Sequence, residues 1–382
     1  MYVYPLKIPG GSRAVIPFVS QAIIGHCVDT MRDLIAQGVK VQICVTSPPY
    51  WGLRDYGIAP VEWEAVTFSP MAGLPTMTIP AMTAVHGLEP DIWSWVAHEV
   101  AIFRLVRALL ADDGTCWVNL GDAYAAGGMG AGSGKQLTNR GTSVGGHMDK
   151  RRKAPDSLKP KDLLGLPWRV ALALQADGWY LRQDVIWSKP NPMPESVRDR
   201  CTKAHEYLFM LAKSERYFFD FAAFQEPASW VVPLGATGVG FGHGTDRDER
   251  GRDRQKRDSF KREDSKRAEV IPGQTAGTHR PDRDESEWDT ATRNRRSVWT
   301  VPTVPYNCAH FATFPPALIE PCIIAGSRPG DIVLDPFFGS GTTGQVAQRL
   351  GRQWIGCELN PAYAALHAGR VAQQGFVFHS ED

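Results

Sequence analysis

Residues 332–351 read "IVLDPFFGSGTTGQVAQRLG". The β-branched run Ile332, Val333, Leu334 predicts a short strand, and the pattern from Thr343 to Leu350 predicts a helix. Between them Gly339, Gly341 and Gly344 satisfy G-x-G-x-x-G. That spacing places main-chain amides and a helix N-terminus beside a ligand. The next apolar run, "RQWIGCE", ends in Glu358. Strand, glycine turn, helix and strand in this order predict a βαβ unit of a parallel sheet.

The rest of the chain repeats the alternation. Strand-like runs lie at Ala22 to Ile24, Val41 to Val45, Thr115 to Asn119, Leu181 to Trp187 and Tyr207 to Leu211. Helix-like stretches cover Ile92 to Leu110, Leu163 to Ala176 and Pro315 to Ala325. The expected fold is α/β, a doubly wound and mostly parallel Rossmann-like sheet, in which ligands bind beyond the carboxyl ends of the strands.

Two polar segments interrupt this pattern. From Ala125 to about Pro160 the chain is rich in Gly and Ser and then in Lys and Arg, which reads as a mobile loop. From about Glu226 to Arg296 charges are dense and apolar residues few, so the segment can bury little by itself. The expected division is therefore a catalytic part over 1–225, a charged insertion over 226–300 and a cofactor-binding part over 301–382.

Composition sets outer bounds. The 382 residues are 43% hydrophobic with a net charge of +1, enough for one large catalytic domain with an insertion or for two domains sharing a core. The near-zero charge neither favours nor excludes nucleic acid, because a local basic surface suffices to neutralise phosphates. No apolar leader follows the N-terminus and charges break every longer apolar stretch, so a soluble, cytoplasmic protein without membrane association is expected. The seven cysteines form no C-x-x-C pair and read as buried, reduced thiols.

In the glycine turn, Asp335, Pro336 and two phenylalanines separate the strand from the first glycine. A carboxylate there repels a pyrophosphate but favours a ligand bearing an ammonium or sulfonium charge. S-adenosyl-L-methionine carries both, and Glu358 is placed to accept hydrogen bonds from ribose hydroxyls. A plainer alternative makes Asp335 a turn cap and Glu358 a solvated acid. A second unusual turn, "TSPPYWGLRDYG" from Thr46, follows the strand at Val41 to Val45. Its prolines stop the strand and direct carbonyls outward.

"TSPPY" near the N-terminus together with "DPFFGSGTT" near the C-terminus resembles the permuted (beta-type) S-adenosylmethionine-dependent DNA amino-methyltransferases, the N4-cytosine and N6-adenine family. The similarity extends through "EVAIFRLVRALLADDGTCWVNLGDAY" and "GWYLRQDVIWSKPNPMPESVRDRCTKAHEYLFMLAKS". It implies a seven-stranded methyltransferase sheet with an inserted target-recognition region. It also implies a site-specific enzyme acting on double-stranded DNA; a homodimer and a cognate restriction endonuclease are candidate partners, with monomer or dimer left open by the sequence. On this resemblance Ser47 and Pro48 offer acceptors to an exocyclic amine, Pro49 stiffens the turn, and Tyr50 stacks on a flipped base. Asp335, Pro336, Phe337, Gly339, Ser340, Gly341, Thr342 and Glu358 hold the cofactor. Ser rather than Asp before Pro-Pro-Tyr resembles the N4-cytosine enzymes, with N6-adenine the alternative. The family often has Gly-Asp-Cys where this chain has Gly25, His26, Cys27, which leaves the adenine contact unassigned.

For DNA, Lys150, Arg151 and Arg152, continued by Lys153, Lys159 and Lys161, form the clearest basic cluster. Arg293, Arg295 and Arg296 are candidates for phosphates or guanine edges. Residues 189–200, "KPNPMPESVRDR", are expected to wall the base pocket or DNA cleft. Cys322, inside an apolar helical pattern, reads as core. His98 and Glu99 lack a second histidine at metalloprotease spacing, and no histidine and acid cluster is visible, so no metal is expected.

Overall fold

In the computed structural model, residues 20–53, 57–125, 159–227, 292–304 and 314–371 are described. Two compact units are distinguished, Met1–Phe224 with Arg296–Asp382, and Gln225–Arg295. The strands are β1 (Gln21–Ile24), β2 (Val41–Thr46), β3 (Val61–Trp63), β4 (Val66–Phe68), β5 (Met77–Ile79), β6 (Met82–Ala84), β7 (Leu110–Leu120), β8 (Tyr180–Ser188), β9 (His205–Ala212), β10 (Glu226–Pro227), β11 (Thr292–Arg293), β12 (Val298–Thr300), β13 (Ile332–Asp335) and β14 (Gln353–Glu358). The helices are α1 (Cys27–Ala36), α2 (Ile92–Leu109), α3 (Leu166–Ala176), α4 (Phe221–Phe224), α5 (Pro316–Gly326), α6 (Thr342–Arg349) and α7 (Ala364–Val371).

The large unit is built on one sheet of order β1-β14-β13-β2-β7-β9-β8-β12. All seven expected strands are in it. The short edge strand β12 brings the total to eight rather than seven, pairing parallel to β8. Neighbours from β1 to β7 are parallel, whereas β9 runs antiparallel to both β7 and β8. Successive residues point to opposite faces, so each strand serves two cores. Cys44, Cys116, Leu334 and Ile355 pack with residues of α1, α2 and α3. Ile43, Val45, Trp117, Val333 and Trp354 pack with residues of α5 and α6. This two-sided burial is why the strands read as near-continuous apolar runs.

Two small hairpins, β3 with β6 and β4 with β5, stand outside the main sheet. Asp91 caps α2 by accepting from the amides of Trp93 and Ser94. The predicted helices fall within a few residues of their expected bounds, and α1, α4 and α7 are additional. Five described cysteines are buried and free, as read from the sequence; Cys201 is the exposed exception, and Cys308 lies outside the described residues. Cys322 sits in the core of α5 with its thiol against the Leu318 carbonyl. Among the described residues, no helix is long and apolar enough to cross a membrane.

Candidate active site

The chain leaves β13 toward β14 through α6 and leaves β2 toward β7 through α2. The adjacent ends of β13 and β2 therefore form the switch point of the sheet, where open α/β folds bind ligands. Across it the Thr46 hydroxyl donates to Asp335 Oδ1 at 2.6 Å, joining residues 289 positions apart. Thr343 donates to Asp335 Oδ2 at 2.7 Å and the Phe337 amide to Oδ1 at 3.0 Å. Asp335 is 1% exposed, so its carboxylate is turned inward and organises both loops rather than lining open solvent. Burial pushes its pKa up to about 6, against the pull of its three donors.

Beyond Asp335 lies a turn whose amides face the next strand. Pro336 is buried, and Phe337 stacks at 5.6 Å on His86. Phe338 fills the space over Gly356, where an added Cβ would come within 2.2 Å of its ring. Gly339 and Gly341 take positive φ values of 51° and 86°, the backbone that turns the chain into α6. Glu358 accepts from the Gly339 amide at 2.8 Å and the Asn360 amide at 2.7 Å. Its pKa is pushed up to about 7, chiefly by burial. Ser340 accepts from Arg370, His367 Nε2 bonds the Gly339 carbonyl at 2.8 Å, and Thr342 opens α6. Two buried acids lie side by side at these strand ends with their pKa values raised. A cationic ligand relieves the cost of ionising both, so the donor set fits S-adenosylmethionine.

The second turn is held by distant groups. The Trp95 indole donates to the Pro49 carbonyl at 3.0 Å, the Gly52 amide to the Gly87 carbonyl at 2.8 Å and the Trp51 indole to the Glu89 carbonyl at 3.0 Å. Among the described residues, none donates to the carbonyl of buried Pro48. Ser47 Oγ lies 3.1 Å from the Tyr50 hydroxyl. That hydroxyl donates to Glu206 Oε2 at 2.9 Å, while Asn119 Nδ2 donates to both at 2.8 Å. Lys189 is ion-paired to the other oxygen of Glu206. The ring of Tyr50 lies against Gly121, where an added Cβ would sit 2.6 Å from Cε2. Asn119 and Glu206 carry little signal in the sequence, Asn119 standing at the end of one expected strand and Glu206 just before another.

A further group joins the two turns from behind. His86 Nδ1 lies 2.9 Å from Glu89 Oε1 and its Nε2 2.9 Å from Glu99 Oε1, while His98 Nδ1 shares Glu89 Oε1 at 2.9 Å. Burial alone would lower the His86 pKa, but Glu99 and Glu89 outweigh it and hold it at about 10. Burial likewise opposes ionisation of Glu89, yet His86 brings its pKa down to about 2. The sequence expectation of no histidine and acid cluster is corrected: His86, Glu89 and His98 bring ligating atoms within 4.8 Å of one another. The loop between β6 and α2 supplies His86 and Glu89, while α2 supplies His98. Trp63 of β3 stacks on His98 at 3.9 Å and meets the edge of His26 at 5.2 Å.

Of the expected DNA contacts, Lys150, Arg151, Arg152 and Lys153 lie outside the described residues. Lys159 and Lys161 pair with Asp162 at 3.3 Å and Asp199 at 2.7 Å. In the smaller unit Arg293 pairs with Glu226 at 2.9 Å and Arg295 is partly buried. In the larger unit Arg296 is exposed and its carbonyl accepts from Trp299. Within 189–200, Arg200 pairs with Glu195 and lies 3.9 Å over the Tyr124 ring.

A doubly wound sheet with an acid-flanked glycine turn at its switch point defines the nucleoside-binding α/β class to which methyltransferases belong. Residues 41–368 match the family described as DNA methylase. The chain is 42% identical to the type II methyltransferase M.XycI of Xanthomonas campestris pv. cyanopsidis, over 92% of this chain and 87% of that protein. It is 41% identical to M.Cfr9I of Citrobacter freundii, over 91% and 86%. Among solved structures, the cytosine-N4-specific PvuII DNA methyltransferase shares the fold, with a TM-score of 0.50, 17% identity and coverage of 95% and 89%. The chain belongs to the DNA methylase family of N4/N6 amino-methyltransferases and uses S-adenosylmethionine.

Proposed function

We propose that the enzyme methylates the exocyclic N4 amine of cytosine at a specific site in double-stranded DNA, by direct transfer. The observation that carries this reading is the Thr46 to Asp335 hydrogen bond, which sets Ser47 beside the glycine turn. Bound S-adenosylmethionine supplies an electrophilic methyl group. Glu358 and the turn from Pro336 to Thr342 hold it, with Asp335 acting through space. The chain's own contribution is orientation. An exocyclic amine is a weak nucleophile because its lone pair is delocalised into the ring. Ser47 Oγ and the Pro48 carbonyl, as acceptors for its two N–H groups, favour the pyramidal form, while Tyr50 stacks on the flipped base. Rigid prolines keep those acceptors fixed.

The choice of cytosine rests on Ser47 ahead of Pro48, Pro49 and Tyr50. The motif order, catalytic turn first, supports the permuted class. Residues 226–300 act as the target-recognition region. Lys150, Arg151, Arg152, Arg293, Arg295 and Arg296 contact DNA; Arg296→Ala is expected to weaken binding and reduce the salt slope by about one phosphate contact. The type II names of the relatives support a cognate restriction endonuclease as partner. Nucleoside mass spectrometry with methylation-aware sequencing of DNA from expressing cells tests the reading. N4-methylcytosine in one sequence context is expected; N6-methyladenine alone would overturn the choice of base.

A further inference from the structure

The hydrogen bonds around Ser47 have a direction. As a carboxylate ion-paired to Lys189, Glu206 can only accept. The single hydroxyl proton of Tyr50 is therefore committed to Glu206 Oε2, 2.9 Å away. The contact between Tyr50 and Ser47, at 3.1 Å, is then a hydrogen bond only if Ser47 donates. With its proton so engaged, Ser47 presents lone pairs alone to whatever enters the turn. Asn119 belongs to the same network through its Nδ2, and its Oδ1 is buried with no hydrogen-bond partner among the described residues.

We propose that Glu206 is a specificity-determining positioning residue: through Tyr50 it fixes Ser47 as an obligate acceptor, so that the site takes bases bearing an amine and refuses those bearing a carbonyl. A carbonyl at that position would face Ser47 Oγ lone pair to lone pair, leaving both unpaired. The proposal rests on the methyltransferase reading and deepens it, since Glu206 touches no reacting atom.

Glu206→Gln is the informative change. Lys189 would hold the amide oxygen, leaving the amide nitrogen to donate toward Tyr50 and to displace the Asn119 amide that donates to that position in the wild type. Tyr50 then turns its proton to Ser47, and Ser47 turns its own toward the base. The probes are two cofactor-free duplexes carrying the methylated site, one with cytosine and one with uracil at the target. If the methylated base is adenine, adenine and hypoxanthine replace them. The quantity read is the affinity ratio relative to wild type, so any bias from the mismatch cancels. Wild type is expected to prefer the amine, and Glu206→Gln to narrow that preference by about tenfold, the worth of one hydrogen bond. Tyr50→Phe, which cuts the chain, should narrow it as well. The double variant should do no more than the stronger single variant, because both act on one chain. Cofactor affinity and melting temperature should stay near wild type. An unchanged ratio in either variant, or additive effects, would overturn the proposal. Should Glu206→Gln fail to fold, Tyr50→Phe decides alone. A wild-type protein that methylates no DNA would instead refute the underlying reading, separately from the role of Glu206.

Discussion

The turns after β2 and β13 lie side by side, each led by proline, and they are built by opposite means. After β13 the turn is held mostly from within its own βαβ unit, with Thr46 reaching in from β2: Asp335 takes the Phe337 amide, Glu358 the Gly339 amide, and Thr343 lies eight residues from the acid it serves. After β2 the turn is held from afar, by Trp95, Gly87, Asn119 and Glu206. The first turn uses buried charge to set main-chain amides; the second uses main-chain and side-chain donors to set acceptors. A loop that must receive a charged cofactor tolerates local rigidity, whereas one that must judge a base depends on the sheet around it.

The sharpest way to break this contrast is Asp335→Ala. It strands the hydroxyls of Thr46 and Thr343 and the Phe337 amide in a dry interior, and should destabilise the protein by about 3 kcal/mol. Cofactor binding should be lost with it, as read by thermal unfolding and titration calorimetry. Retention of both would mean that the two turns are organised independently.

Ser47→Ala should be the opposite case. Stability and cofactor affinity stay near wild type, while the single-turnover rate falls by about 100-fold through loss of one preorganised polar contact. A smaller loss is expected from Gly121→Ala, whose new methyl group would push the Tyr50 ring aside. A rate roughly tenfold lower with unchanged cofactor affinity would place the effect in geometry. Equal losses of rate and cofactor binding would instead show the turns to be one cooperative unit.

The smallest effect concerns pH. Glu358 and Asp335 have pKa values raised to about 7 and about 6, above their ordinary carboxylate values. The folded, cofactor-free protein therefore holds more protons than the unfolded chain in the interval between. Their contribution to stability is full only below the ordinary values of 3.8 and 4.5 and is lost as pH rises through 6 and 7. Glu358→Gln should flatten that slope, measured as melting temperature between pH 5 and pH 8. A slope unchanged by the substitution would remove Glu358 as its source.

Much of this was legible in the chain. All seven strand runs lie in the main sheet, and the glycine turn and its acids stand at neighbouring strand ends. The hairpins were missed although "VEWEAVTF" and "TMTIPAMTA" alternate, because each strand is only three residues long. The edge strand β12 was missed for the same reason, lying beside the charged insertion. The inward turn of Asp335 was also hidden: residue type shows a carboxylate, not the hydroxyls that will surround it.

What the residues determined unaided is local chemistry. Period-two apolar runs make strands, glycines admit positive φ, and prolines end a ladder, all within a few bonds. Tertiary structure alone decided which polar groups meet. Antiparallel pairing of β7 with β9 opposes Leu120 to Tyr207, bringing Asn119 and Glu206 to one end of the sheet around Tyr50. Hydrogen bonds act over about 3 Å, whereas these partners lie scores of residues apart, so only the register of the folded sheet could choose them.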